Sequence, residues 1–285
     1  MTIRQTIASM TVREQQRQVW NRFSHGWQKW DELVQAFHAP IGAALLKSLR
    51  LPPDALLLDV ATGTGEPGLT AAAGLTSGQV IGFDLSVQMV TLALENARLR
   101  QLDNYDALVC DAGQLPFDDA FFDAVSCRCG YMFFPALAQA AAEQVRVLKS
   151  GGRLAAAVWG PPQHNLWATL ILSEIGKFLP LPAPKPDAPG LFRCADPAGL
   201  KDLLRAAGLK NVVCHAVEVP MCLPSPESYW GYMTEVAAPV VSALSQADPQ
   251  TKAAIRQAVF ETLSAHTYDG EIRLNGSAWI ITGQK

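Results

Sequence analysis

Three aspartates stand where a carboxylate could meet a ligand. Asp59 lies at the end of the apolar run Leu56–Val60, Asp84 closes Gln79–Phe83, and Asp111 follows Tyr105–Cys110. A carboxylate accepts hydrogen bonds from hydroxyl, amino or ammonium donors, so three at successive strand ends describe a site for a polar guest. Between the first two runs Gly63-x-Gly65-x-x-Gly68, a glycine-rich turn from strand to helix. Such a turn lets a ligand approach the backbone and meet the free N–H groups of the helix start. The letters alone also fit a dinucleotide turn. Asp59 and Glu66 argue against a diphosphate, since each would oppose its charge by about a kcal/mol or more at a partly buried site.

A guest with cationic groups and no phosphate suits that turn better. S-adenosylmethionine carries an ammonium and a sulfonium, and Asp84, about twenty residues past the glycines, is placed to accept from both ribose hydroxyls. For proton transfer the chain offers five histidines. His164, in the loop after Trp159-Gly160-Pro161-Pro162, reads either as a general base or as a structural loop residue, with His25 the second candidate base. His38 shares the N-terminal segment with Trp20, Trp27 and Trp30, three tryptophans that read either as core or as a lid over an aromatic ligand. Tyr131 and Phe133 in the run Tyr131–Phe134 read either as the lining of an acceptor pocket or as core. Trp159 belongs with the acceptor candidates too. Arg128 reads either as a salt-bridge partner or as a clamp on an acidic acceptor.

The elements that must hold these residues alternate. Residues 11–50 are amphipathic at three- and four-residue steps and predict helix, interrupted at Pro40 and resumed over Ile41–Leu49. The helix after the glycine turn is expected to start near Glu66-Pro67, proline being tolerated in a first turn. Strands are expected at Gln79–Phe83, Tyr105–Cys110, Phe122–Cys127 and Arg153–Val158. Helices are expected at Val87–Leu102, with Ser86 as N-cap, and at Pro135–Leu148. Ligands in open α/β sheets sit at the carboxyl edge of the strands, where the three aspartates fall. Beyond Gly160 come a helix (Leu166–Phe178), a stiff run of prolines (180, 182, 184, 186, 189) and a helix at Pro197–Ala207. A strand at Val212–Val219, one or two helices within 226–265 and an alternating strand at Glu271–Thr282 suggest a mixed sheet closed by a C-terminal hairpin-like pair.

The chain has 285 residues, 49% of them apolar, enough for one α/β domain with an elaboration. The net charge of -3 leaves no footprint for nucleic acid. Arg4, Arg13, Arg17, Arg22 and Lys29 face only Glu14 before residue 31, which reads as a solvated helix face, with a transit peptide or lipid-facing helix as alternatives. Six cysteines without metal or C-x-x-C spacing read as reduced thiols in a cytoplasmic setting, and no metal is expected. No run reaches the length of a membrane span.

The stretches LLLDVATGTGEPG (Leu56–Gly68), VIGFDLSVQMV (Val80–Val90), CDAGQLPFDDAFFDAVSCR (Cys110–Arg128) and EQVRVLKSGGRL (Glu143–Leu154) carry a family resemblance. In this order and spacing they are similar to class I S-adenosylmethionine-dependent methyltransferases, nearest the ubiquinone/menaquinone-biosynthesis type, over roughly residues 15–160. The resemblance implies a Rossmann-like α/β fold: a mostly parallel seven-stranded sheet flanked by helices. It further implies a helical lid at 1–50, a cofactor-binding core at 51–160, and at 161–285 an acceptor-binding insertion with the strands that complete the sheet, one domain overall. Asp59 would then hold the cofactor amino group, directly or through water, and Ala61, Thr62, Gly63 and Gly65 would line its methionine and ribose. Asp84 would bind the ribose hydroxyls, with Leu85 and Met89 on the adenine. Asp111 would meet the adenine amino group beside Ala112, and Cys127 would close over the methionyl chain by its backbone. Relatives often carry tyrosines near the positions of Trp20 and Trp27, so a hydroxyl contact to the cofactor carboxylate is not expected here.

The activity implied is methyl transfer to an apolar, aromatic or quinone-like small molecule at oxygen or carbon, with S-adenosylhomocysteine as product. Homodimerisation is an open expectation. The alternative is a methyltransferase fold in which the bound cofactor promotes a cyclisation without giving up its methyl group. A nicotinamide oxidoreductase is the third reading, and needs a phosphate site.

Overall fold

The computed structural model describes residues 3–183 and 187–285, with side chains from residue 12 onward. The Arg4 side chain, Pro184 and Pro186 therefore lie outside the described residues. In chain order the elements are helices α1 (Ile3–Lys29) and α2 (Asp31–Leu49), then β1 (Leu56–Val60), α3 (Gly68–Gly74), β2 (Gln79–Asp84), α4 (Val87–Leu99) and β3 (Tyr105–Val109). They continue with β4 (Phe122–Arg128), α5 (Leu137–Val147), β5 (Leu148–Trp159), α6 (Leu166–Gly176), α7 (Pro197–Ala206) and β6 (Lys210–Glu218). The last are β7 (Met221–Leu223), α8 (Pro226–Val236), α9 (Ala238–Leu244), α10 (Pro249–Ser264), β8 (Thr267–Tyr268), β9 (Glu271–Leu274) and β10 (Ser277–Gln284).

The main sheet has seven strands in the order β3-β2-β1-β4-β5-β10-β6. The first five run parallel, and β10 alone runs antiparallel to both its neighbours. Helices cover both faces, which is why the central strands are continuous apolar runs rather than alternating ones. Leu57, Leu58 and Val60 of β1 and Leu154 to Val158 of β5 are wholly buried. The alanine row Ala155–Ala157 leaves room for α2, whose Phe37, Ile41 and Leu45 are buried at the sheet. The strand order reverses between β1 and β4, the switch point at which such folds bind ligands.

Four expectations need correction. Pro40 does not interrupt the second helix, because α2 runs through it and the break falls at Trp30 instead. An internal proline costs about 3 kcal/mol, and burying Val34, Phe37, Ile41, Leu45 and Leu49 at about 1.5–3 kcal/mol each outweighs it. The helix after the glycine turn starts at Gly68, with Pro67 as its cap residue. Residues 226–265 form three helices, each with proline at its first or second position. The C-terminal segment is not one strand: Asn275-Gly276 divides it, β9 joining a separate sheet of order β7-β9-β8 while β10 wedges between β5 and β6. Ser86 does cap α4, its hydroxyl accepting from Met89 N at 3.2 Å.

Candidate functional site

The turn after β1 takes positive φ at Ala61 (55°), Gly63 (56°) and Gly65 (112°). The two glycines are needed for different reasons. A Cβ on Gly65 would lie 2.5 Å from Leu69 Cδ1, whereas one on Gly63 would meet nothing within 4 Å. Gly65 is small so that the helix can start; Gly63 faces open space, where a ligand can reach the main chain.

Asp84, at the end of β2, has both oxygens fixed. Oδ2 accepts from Gly63 N at 3.0 Å and Oδ1 from Ser86 N at 2.9 Å. Burial still raises its carboxyl from the ordinary 3.8 to about 6, the backbone donors holding it from going higher. Leu85 is half-buried and Met89 buried beside it. Asp111 accepts from Gly113 N at 2.8 Å, next to the buried Ala112, and its other oxygen forms an ion pair with Arg13 of α1. Cys127 is wholly buried at the end of β4, and burial pushes its thiol well above the usual range, so it packs as a small apolar side chain.

Asp59 is the inward member of the set. Its Oδ1 accepts from Ser126 Oγ at 2.6 Å, its Oδ2 from Thr62 Oγ1 at 2.6 Å and from Gly68 N at 3.2 Å. Fully buried, its carboxyl is pushed up to about 6, against the pull of those two hydroxyls. It braces the turn from beneath, tying β1, β4 and the start of α3 together. Glu66, the other residue taken to repel a diphosphate, pairs with Arg100 at 2.5 Å. Its carbonyl accepts from Arg128 Nε at 2.9 Å. Glu66 is thus paired within the protein and Asp59 is turned inward onto neutral donors, which removes the argument that these two side chains alone exclude a diphosphate.

The N-terminal helices lie over this edge. Asn21 Oδ1 accepts from Ser86 Oγ at 2.7 Å, and Thr64 Oγ1 donates to Asp31 Oδ1 at 3.2 Å. Aromatic rings collect beside them: Trp20 against Phe133 at 5.0 Å, Trp27 against Trp20 at 6.0 Å, and His38 against Trp27, Phe37 and Trp159 at 6.2, 4.9 and 5.6 Å between ring centres. Trp27, His38, Phe133 and Trp159 are therefore brought together, with Trp20 and Phe37 added by the fold. Three other candidates stand apart. Tyr131 is wholly buried and donates to Gln144 Oε1 at 2.8 Å, so it belongs to the core rather than to a pocket wall. His164 is exposed on a short turn, and His25 is exposed on the outer side of α1. Sequence reasoning missed Arg13, Asn21 and Asp31 as contacts of the aspartate edge. Their partners are distant in sequence, so spacing along the helices does not report them.

Residues 58–156 match a family model described as a methyltransferase domain. That stretch of the chain is thus similar to a methyltransferase domain. A demethylmenaquinone methyltransferase of Deinococcus radiodurans is 36% identical over 128 residues, 44% of this chain and 51% of that one. A second, from Thermus thermophilus, is 34% identical over 44% of this chain and 56% of its own length, so the chain spans about half the length of these relatives. The nocamycin O-methyltransferase of Saccharothrix syringae is 27% identical over 90% of this chain and 94% of its own. Among solved structures, the YcgJ protein of Bacillus subtilis aligns with TM-score 0.56 at 19% identity, covering 87% of this chain and 98% of its own. The [4+2]-cyclase SpnF aligns with 0.53 at 24% identity, covering 86% and 80%. The matched stretch runs from within β1 to within β5, and so holds all three aspartates and the glycine turn.

Proposed function

We propose that the chain is an S-adenosylmethionine-dependent methyltransferase acting on an apolar, aromatic or quinone-like small molecule. The observation that carries this is Asp84, a buried carboxylate at the carboxyl edge of β2, one strand from the switch point and bonded to the N–H of the one turn glycine that opens onto free space. In this reading Asp84 takes the ribose hydroxyls, and Ala61, Thr62, Gly63 and Gly65 border the ribose and methionine. Leu85, Met89 and Ala112 flank the adenine, Asp111 receives its amino group, and the main chain at Cys127 borders the methionyl chain. Asp59 supports the turn from below. The cofactor supplies a methyl group on a sulfonium leaving group; the protein supplies alignment and exclusion of water. Trp20, Trp27, Phe133 and Trp159 offer an apolar wall to a flat acceptor.

Calorimetry with S-adenosylhomocysteine and with NADH tests the reading. Micromolar binding of the first and none of the second is expected, and the reverse would end it. Release of S-adenosylhomocysteine on turnover separates methyl transfer from a scaffold that steers a cyclisation with its cofactor intact.

A further inference from the structure

We infer that Trp27 and His38 together read a hydroxyl group on the acceptor, so that the preferred substrates are flat apolar molecules bearing a phenol or enol. The inference rests on the methyltransferase reading and narrows it to an acceptor class. It starts from two polar atoms. Trp27 Nε1 and His38 Nδ1 are buried and have no hydrogen-bond partner among the described residues, and their rings adjoin. Three other buried side-chain atoms lack a hydrogen-bond partner among the described residues: Arg13 Nε and Asp111 Oδ2, which form an ion pair with each other, and Gln144 Nε2, whose amide oxygen is held by Tyr131. Only at Trp27 and His38 do two orphans of adjoining rings share one spot. Asp59, Asp84, Ser86 and Ser126 are all partnered, and the wholly buried Asn165 donates to three carbonyls, from Gly160, Pro161 and Ser277. Two adjoining orphans in a folded interior therefore call for an explanation.

Their chemistry defines the complement. An indole N–H only donates. His38 sits between Phe37 and Trp159, 6% exposed, and burial, then the nearby Arg128 cation, holds its imidazole well below the usual range, hence neutral. A neutral imidazole offers one donor and one acceptor nitrogen. A hydroxyl accepts from Trp27 and pairs with His38 in either tautomer. An ether oxygen donates nothing, and a ketone serves only one tautomer. A methyl acceptor must also be electron-rich, which a phenol or enol is and a plain ketone is not. Arg128 adds a positive charge on the same side, which favours any negative charge that builds on that oxygen.

Sites built to bond a hydroxyl reject analogues that lack it far more strongly than apolar pockets reject a change of size. The test titrates the protein, loaded with S-adenosylhomocysteine, with three fused-ring probes in the calorimeter: 1-naphthol, 1-methoxynaphthalene and 1-tetralone. The expected result is 1-naphthol bound about tenfold or more tighter than either of the others. In Trp27→Phe and His38→Phe, which keep a ring in place, that preference should shrink to about twofold or less. Unchanged S-adenosylhomocysteine affinity in both variants shows that they fold. Equal affinity for the three probes, which a mere buried water at this point would give, overturns the inference. So does no binding of 1-naphthol, or a preference that survives both substitutions. Failure of S-adenosylhomocysteine to bind the unsubstituted protein would instead sink the methyltransferase reading, and the same three probes on the unloaded protein would still decide the hydroxyl pair.

Discussion

Asp84 concentrates the chemistry of the site in one side chain. In the proposed role Asp84 accepts from ribose hydroxyls and must be ionised to do so, and burial has raised its carboxyl to about 6. Affinity for S-adenosylhomocysteine should therefore be full at pH 7.5 and fall as pH drops through about 6, where Asp84 takes up a proton. Asp84→Asn, which keeps the shape and loses the charge, should weaken binding roughly 10–100-fold, the range for hydrogen bonds to a charged group. Its titration by pH should flatten over the same interval. Stability carries the opposite sign. Because the folded carboxyl binds its proton more tightly than the unfolded one, the contribution is favourable below about 4, and it is lost as pH rises through about 6. The loss is of order 2–3 kcal/mol. Urea unfolding at pH 4.5 and pH 7.5 should show Asp84→Asn gaining on the unsubstituted protein at the higher pH; an unchanged difference would contradict the assignment. At this scale the sequence was informative where partners are local. The glycine turn and the Ser86 cap were legible from neighbours a few positions away, and Asp84 stood out by its place at a strand end about twenty residues past the glycines. The inward role of Asp59 was not, because Ser126 reaches it from another strand, and nothing in the spacing reports that contact.

The helix α1 lies over the aspartate edge, and in the proposed reading it covers the site. It is tied down at one end by α8, where Lys29 Nζ and Trp30 Nε1 donate to Glu235 at 2.7 and 3.0 Å. Along its middle it spends polar groups on the aspartate edge: Arg13 on Asp111, Asn21 on Ser86. The Arg13 pair is partly solvated, with side chains 35% and 21% exposed, so it is worth only about 0–1 kcal/mol. Arg13→Ala should accordingly leave Tm nearly unchanged while raising affinity for S-adenosylhomocysteine by up to about fivefold, since Asp111 no longer exchanges one partner for another. Weaker binding in the variant would mean that Arg13 itself holds the ligand. The helix and its aromatic content were visible in the periodicity. Its docking on α8 was not, because Gly26 and Gly231, where the two helices approach closely, look like ordinary helix glycines until the Glu235 carbonyl and the Trp30 ring are seen against them.

For the molecule as a whole, the alternation of strands and helices through β5 follows the hydrophobic pattern closely, and the seven-stranded sheet matches what the family resemblance implied. Past β5 the pattern says strand or helix but not which neighbour a strand will take. That is why a single C-terminal strand was expected where two now lie in different sheets. The centre of the sheet bears the stability: Leu58 is wholly buried in β1, and Leu58→Ala should cost about 2–5 kcal/mol, read as a lower urea midpoint at unchanged slope. S-adenosylhomocysteine at about a hundred times its Kd should restore about 2.7 kcal/mol of that by binding only the folded form. A shift in Tm that tracks ligand concentration is the check, and its absence in Leu58→Ala would show that the substitution had reached the site.

The placement of β10 has a bearing on how the chain is made. β6 leaves the ribosome some sixty residues before the strand that must bridge it to β5, so during synthesis both present naked hydrogen-bonding edges with nothing between them. The nascent protein is thus most exposed to aggregation late in translation, and a stalled product ending before Ser277 would present that open seam to any chaperone or protease within reach.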